Sequence, residues 1–162
     1  MNSREPNPPV APSGLPLYRR TSTQRPSYDP ELVQPMREEL TRLGVEELLT
    51  PEAVEAAIAR KGTALWFVNS VCGCAAGAAR PALALALAHP RLPEHVVTVF
   101  AGMEHEAVAR ARDHFRPYPP SSPQIALVKD GELLRTWQRQ DIEGREAPAL
   151  ARSLTAAFDE LC

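Results

Sequence analysis

The sequence predicts an α/β fold: a central four-stranded mixed sheet, helices on both faces, and extra helices ahead of the sheet. Three observations predict it. Two continuous apolar runs, 63–69 and 96–101, flank an Ala- and Leu-rich helical stretch. That is the pattern of a βαβ unit whose parallel strands are covered on both faces. A third apolar run, 125–128, meets a fourth, 133–137, through Lys129-Asp130-Gly131-Glu132, and Asp-Gly supplies the positive φ angles a tight hairpin demands. Last, residues 148–161 place Leu150, Leu154, Ala157, Phe158 and Leu161 at helical spacing, which gives a closing helix with one apolar face.

The elements follow in order. Residues 1–28 form a proline-rich arm, with Pro6, Pro8, Pro9, Pro12, Pro16 and Pro26 and no apolar periodicity; the expectation is an extended or disordered segment. The folded domain then runs over 29–162. Asp29-Pro30-Glu31 is a helix start, with a capping aspartate, proline at the first helical position and an acid in the first turn. Leu32, Met36, Leu40 and Leu43 are the expected inward positions, Pro35 is placed to bend the first turn, and Gly44 ends the run. Thr50-Pro51-Glu52 repeats the start signal for a short helix with Val54, Ala57 and Ile58 inward, closed by Gly62. After the first strand, Cys72 opens a helix to about residue 88, kinked at Pro81 and stopped by His89-Pro90. Gly102 breaks the second strand. Residues 104–115 read as a helix with Ala107, Val108, Ala111 and Phe115 inward, and 116–123, with four prolines, as a non-helical crossover. Trp66 and Trp137 fall at strand positions and are expected in the core.

A chain of 162 residues is long enough for one domain with a sizeable core. The net charge of -2 argues against a nucleic-acid or anionic-membrane partner. No apolar run is long enough to span a bilayer, and the polar start lacks the apolar core of a secretory signal, so the expected compartment is the cytoplasm. The four histidines, His89, His95, His105 and His114, form no ligand spacing. A metal or cluster at the cysteines would need ligands from another chain or from His105. No metal and no tightly bound cofactor are expected.

The chemistry concentrates at Val71-Cys72-Gly73-Cys74, between the first strand and the helix after it. In a reducing compartment a close cysteine pair points to catalysis or metal binding rather than to a structural bridge. At the start of a helix, free N–H groups and the helix dipole stabilise a thiolate, the attacking species in disulfide exchange. Cys72, just outside the helix, is therefore the candidate nucleophile. Cys74 is the candidate resolving thiol, reaching Cys72 only if Gly73 bends freely. The alternative is a free Cys74 thiol, with mixed disulfides at Cys72 resolved by an external thiol. Val71 and Gly73, the neighbours of Cys72, are expected to contact substrate.

The pattern resembles the thioredoxin fold in three places: the apolar strand running into the cysteines and a proline-kinked helix, Ser122-Pro123 just before the third strand, and the hairpin over 125–134. Thioredoxins carry Cys-x-x-Cys, whereas this chain has Cys72-Gly73-Cys74. The block Val68-Asn69-Ser70-Val71-Cys72-Gly73-Cys74-Ala75-Ala76-Gly77 with Ala79-Arg80-Pro81 looks like the bacilliredoxin family. So do Val97-Thr98-Val99-Phe100-Ala101-Gly102, Ser121-Ser122-Pro123, and the ending Leu154-Thr155-Ala156-Ala157-Phe158-Asp159 with Cys162 last.

That resemblance implies a cytoplasmic thiol–disulfide oxidoreductase that removes bacillithiol, a low-molecular-weight thiol, from proteins capped by it under oxidative stress. Bacillithiol would be the thiol co-substrate. The partners would be S-bacillithiolated proteins and the reductase of the small thiol's disulfide. In the resembled fold the proline before the third strand is cis, so Ser122 and Pro123 are the expected substrate ledge, with a backbone edge open to an extended peptide. Cys162 is either a third redox thiol, since the resembled family also ends this way, or a terminal cysteine without a catalytic step. The rival readings are a general protein disulfide isomerase or reductase, and a non-enzymatic metal-binding or redox-sensing protein.

Overall fold

A computed structural model describes residues 24–162; the expected arm over 1–28 lies outside the described residues as far as residue 23. Strand β1 (Glu46–Glu47), β2 (Thr63–Asn69), β3 (His95–Phe100), β4 (Gln124–Lys129) and β5 (Glu132–Trp137) form one sheet in the order β1-β3-β2-β4-β5. β1 and β2 run parallel to β3, and β4 lies antiparallel to β2 and β5. The α/β class and mixed sheet stand as expected, but the strand count is five rather than four. The addition, β1, is two residues long, too short for any periodicity to announce it.

Helix α1 (Pro30–Thr41) starts as the sequence predicts, with Asp29 Oδ1 accepting the Glu31 N–H at 2.9 Å. Its buried face differs from expectation. Val33 and Leu40 are inside, whereas Leu32 and Leu43 are exposed. The stripe is rotated so that Met36 and Val33 reach a small cluster with Phe100, Met103 and Val71. Helix α2 (Pro51–Ile58) is capped by Thr50, whose Oγ1 accepts the Ala53 N–H at 3.1 Å.

β2 is buried at every position, so its two faces feed two cores. Leu65 and Phe67 pack with Ile125 and Leu127 against α3 (Arg80–Ala86) and α6 (Ala147–Leu161). Ala64, Trp66 and Val68 pack with Val97 and Val99 against α2 and α4 (His105–Asp113). Each large side chain buried this way contributes roughly 1.5–3 kcal/mol. Trp66 meets Phe115 edge to face at 6.0 Å, and both expected core tryptophans are buried. The β4–β5 hairpin turns at Asp130 (φ 50) and Gly131 (φ 82), the left-handed pair that Asp-Gly was chosen for. A four-residue helix, α5 (Arg139–Ile142), follows β5 through a capping box of Gln138 and Asp141; it is an element that the sequence does not announce.

The segment after the cysteines also differs from one kinked α-helix. Ala75–Ala79 is a π-helical turn, and the Arg80 N–H donates to Ala75 O, five residues back. Pro81 has no N–H and its ring crowds the carbonyl four residues earlier. A widened turn accommodates both demands.

Candidate active site

β2 delivers the chain to one end of the sheet, where Asn69 and Ser70 turn it into the cysteine loop. Ser70 Oγ accepts the Cys72 N–H at 3.2 Å. Cys72 then occupies the mouth of the helix: its carbonyl accepts the N–H groups of Ala75 (3.1 Å) and Ala76 (3.2 Å), and its Sγ accepts the Ala75 N–H at 3.4 Å. The sulfur therefore sits against a helix-start donor, as the sequence placement requires.

Both thiols are free and half-buried. Burial opposes ionisation of Cys72, yet hydrogen bonds from the Cys74 thiol, the Ser70 hydroxyl and the Ala75 and Cys74 backbone amides outweigh it and hold its pKa below the ordinary thiol value. Cys74 moves the other way. Burial and its hydrogen bond with Cys72, with the charge on that sulfur, push its pKa up, against a weaker opposing pull from the Arg139 guanidinium. A pair split in this sense has one thiol ready to attack and one that holds its proton.

Gly73 has no φ in the left-handed region, and a Cβ there would meet nothing within 4 Å. In this dithiol state its role as a free hinge is not called upon, and the space above it is open. Val71 is half-buried on the cluster of Val33, Phe100 and Met103.

The register of β4 sets the expected ledge. Gln124 pairs with Val68, so Pro123 lies beside the end of β2 that leads to Cys72. The Ser122–Pro123 bond is cis. Ser121 Oγ accepts the Arg139 N–H at 2.7 Å, and Arg139 is the cation that acts on Cys74. Ledge and cysteine pair thus share one end of the sheet. A second cis bond, Arg116–Pro117, had no signal in the sequence beyond the run of prolines around it.

Cys162 is not brought to this site. Its thiol hydrogen-bonds Thr63, and burial raises its pKa despite Arg91 and Lys129 nearby. Thr63 begins β2 and Asn69 ends it, so roughly 20 Å of strand separates Cys162 from the cysteine loop. Ser70, the Ala75 amide, Arg80 and Arg139 are the parts of the site that sequence reasoning missed. A lone arginine inside the Ala-rich run was the one available signal. Among the described residues no group of three or more His, Cys, Asp or Glu side chains gathers to hold a metal ion, and no helix is long and apolar enough to cross a membrane.

Comparison with known proteins places this geometry. Residues 28–162 match a family model described as disulphide isomerase. A bacilliredoxin of Cytophaga hutchinsonii is 52% identical over 134 residues, covering 83% of this chain and 99% of that protein. The chain belongs to the bacilliredoxin family. A bacilliredoxin of Geobacillus kaustophilus is likewise 52% identical, over 86% of this chain and 95% of its own. Among solved structures, a proposed oxidoreductase with a thioredoxin fold superposes with a TM-score of 0.53 at 15% identity, over 67% of this chain and 92% of that one. The fold is therefore thioredoxin-like, and this bacilliredoxin-family chain is a thiol–disulfide oxidoreductase.

Proposed function

We propose that the protein removes bacillithiol from S-bacillithiolated proteins in the cytoplasm, with Cys72 as nucleophile and Cys74 as resolving thiol. The observation that carries this reading is the Cys72 sulfur on the Ala75 amide at 3.4 Å, beside a thiol that keeps its proton. The Cys72 thiolate attacks the bacillithiol sulfur of the capped protein. The protein's thiolate leaves and takes up a proton, and bacillithiol is now disulfide-bonded to Cys72. Cys74, on losing its proton, attacks the Cys72 sulfur, forms the Cys72–Cys74 disulfide and releases bacillithiol as a thiol. Two molecules of a low-molecular-weight thiol then supply the two electrons that reopen the bridge and leave as their own disulfide, and the reductase of that disulfide completes the cycle. The pair needs no tightly bound cofactor for these steps.

Val71, Gly73, Ser122 and Pro123 form the surface on which the capped protein lies. The open space over Gly73 and the shared sheet end of ledge and cysteines support that role. The test is intact mass after mixing with a bacillithiol-capped protein. Cys74→Ala should carry one bacillithiol on Cys72 while the partner is released uncapped; Cys72→Ala should carry none. An adduct on Cys72→Ala at the wild-type rate overturns the assignment. The family model's description favours a second reading, a general disulfide isomerase, and rapid rearrangement of a scrambled peptide-disulfide substrate, with no preference for the capped protein, would establish it instead.

A further inference from the structure

Arg80 is almost wholly buried in an Ala-rich helix, and two of its three hydrogen bonds go to the corner that leads into the cysteine loop. Its Nη1 donates to Ser70 O at 2.8 Å and to Asn69 Oδ1 at 3.1 Å, and its Nε donates to Glu39 Oε2 at 2.7 Å. Asn69, also buried, is fixed on its far side by donating to Met36 O at 3.2 Å, while its Oδ1 accepts the Ser70 N–H at 2.9 Å. Both the carbonyl and the amide of Ser70 are therefore held, one by Arg80 and one by a side chain that Arg80 also holds. A buried cation is costly to desolvate, and a methionine would fill this space without that cost. The π-helical turn just before Arg80 rotates the helix register that aims it.

From this geometry we infer that Arg80 is a positioning residue for the nucleophile: its guanidinium fork locks the Asn69–Ser70 corner so that the Ser70 hydroxyl stays on Cys72. Ser70 Oγ accepts the Cys72 N–H, which fixes the loop, and the same hydroxyl donates to the Cys72 sulfur, which favours the thiolate. Arg80 acts through Ser70 rather than on the sulfur itself. A fork with several donors in one plane can hold two acceptors at once, which an ammonium on a flexible stem does less well. The inference rests on the proposal that Cys72 is the attacking thiol.

The test is the pH profile of Cys72 alkylation by iodoacetamide in the full-length reduced protein, with the modified cysteine located by fragment mass. Ser70→Ala should raise the midpoint by about one pH unit, so the rate at a fixed pH below it falls about tenfold. Arg80→Lys keeps the charge but loses the fork, and it should raise the midpoint in the same direction. In the Ser70→Ala background, Arg80→Lys should add little. A purely structural role predicts lower thermal stability with an unmoved midpoint. Full additivity of the two substitutions means that Arg80 does not act through Ser70. Either result overturns the inference. If Arg80→Lys does not fold, Glu39→Gln, at a half-exposed carboxylate, loosens the fork from outside. Amide exchange at Cys72 should then quicken about threefold or more at an unchanged melting temperature, and unaltered protection overturns the inference. None of these readouts uses bacillithiol, so a failure of the proposed substrate leaves this result standing, and the reverse.

Discussion

At Cys72 two effects oppose each other. Partial burial favours the neutral thiol, whereas four hydrogen-bond donors favour the thiolate, and the donors win. The Cys72 alkylation rate should therefore rise with pH through a midpoint below the free-thiol value of roughly 8.5 and level off above it. A midpoint at or above that value would remove Cys72 as an activated nucleophile. The Cys74 thiol is the first of the donors, and Cys74→Ala should shift the Cys72 midpoint upward while lengthening the life of any adduct, because the internal resolving thiol is gone. Gly73→Ala separates conformation from substrate approach. Its Cβ meets nothing in the dithiol state and its φ is ordinary, so the melting temperature of the reduced protein should hold within about 1 °C, an effect of a few tenths of a kcal/mol. Bridging to Cys74 should slow, since the hinge freedom of glycine is needed only when the ring closes. A lower melting temperature of the reduced variant would show that the glycine already serves the resting fold.

At the scale of elements, long periodic segments were legible and short or long-range features were not. The strand Thr63–Asn69, the capped starts at Asp29 and Thr50, and the Asp130-Gly131 hairpin each carry a local signal, and each forms as read. The strand Glu46–Glu47 and the helix Arg139–Ile142 each span only about one period of their pattern, so no pattern can repeat within them. The inward face of α1 was misplaced because Leu32 and Leu43 continue the spacing of Leu40 onto solvent. The cysteine pair was visible at a strand–helix junction, but its support was not, since the Arg80 to Glu39 ion pair joins residues 41 positions apart. The hairpin supplies a test that leaves the site alone. Gly131→Ala must hold a side chain at φ 82 with its Cβ 3.3 Å from Ile58 O. It should cost about 1–2 kcal/mol in chemical denaturation and leave the Cys72 alkylation profile unchanged. A coupled change in that profile would show that the far end of β4 controls the ledge.

Across the whole molecule, two boundaries can be tested, the start of the domain and the reach of the redox site. The last residues of the expected arm contact the body. The Ser27 N–H donates to Gly102 O at 2.7 Å, and the Tyr28 ring lies where a Cβ on Gly102 would stand. Removal of residues 1–23 should leave the melting temperature unchanged, whereas removal of 1–28 should lower stability by about 1 kcal/mol or more through the lost hydrogen bond and ring contact; equal stability of the two would put the boundary after Tyr28. The second boundary follows from the length of β2. A disulfide requires Cα atoms within about 7 Å, and Cys162 lies against Thr63 at the opposite end of that strand from Cys72. No hinge of the cysteine loop spans that distance within one folded chain. Oxidation of the monomer should therefore yield Cys72–Cys74 linkage, with Cys162 alkylatable throughout. Cys162→Ser should leave the rate of uncapping and the Cys72 profile unchanged. A Cys72–Cys162 peptide recovered from monomer under native conditions, or a several-fold loss of rate in Cys162→Ser, would mean that Cys162 takes part in the cycle and that the chain must open or pair with another copy to let it do so.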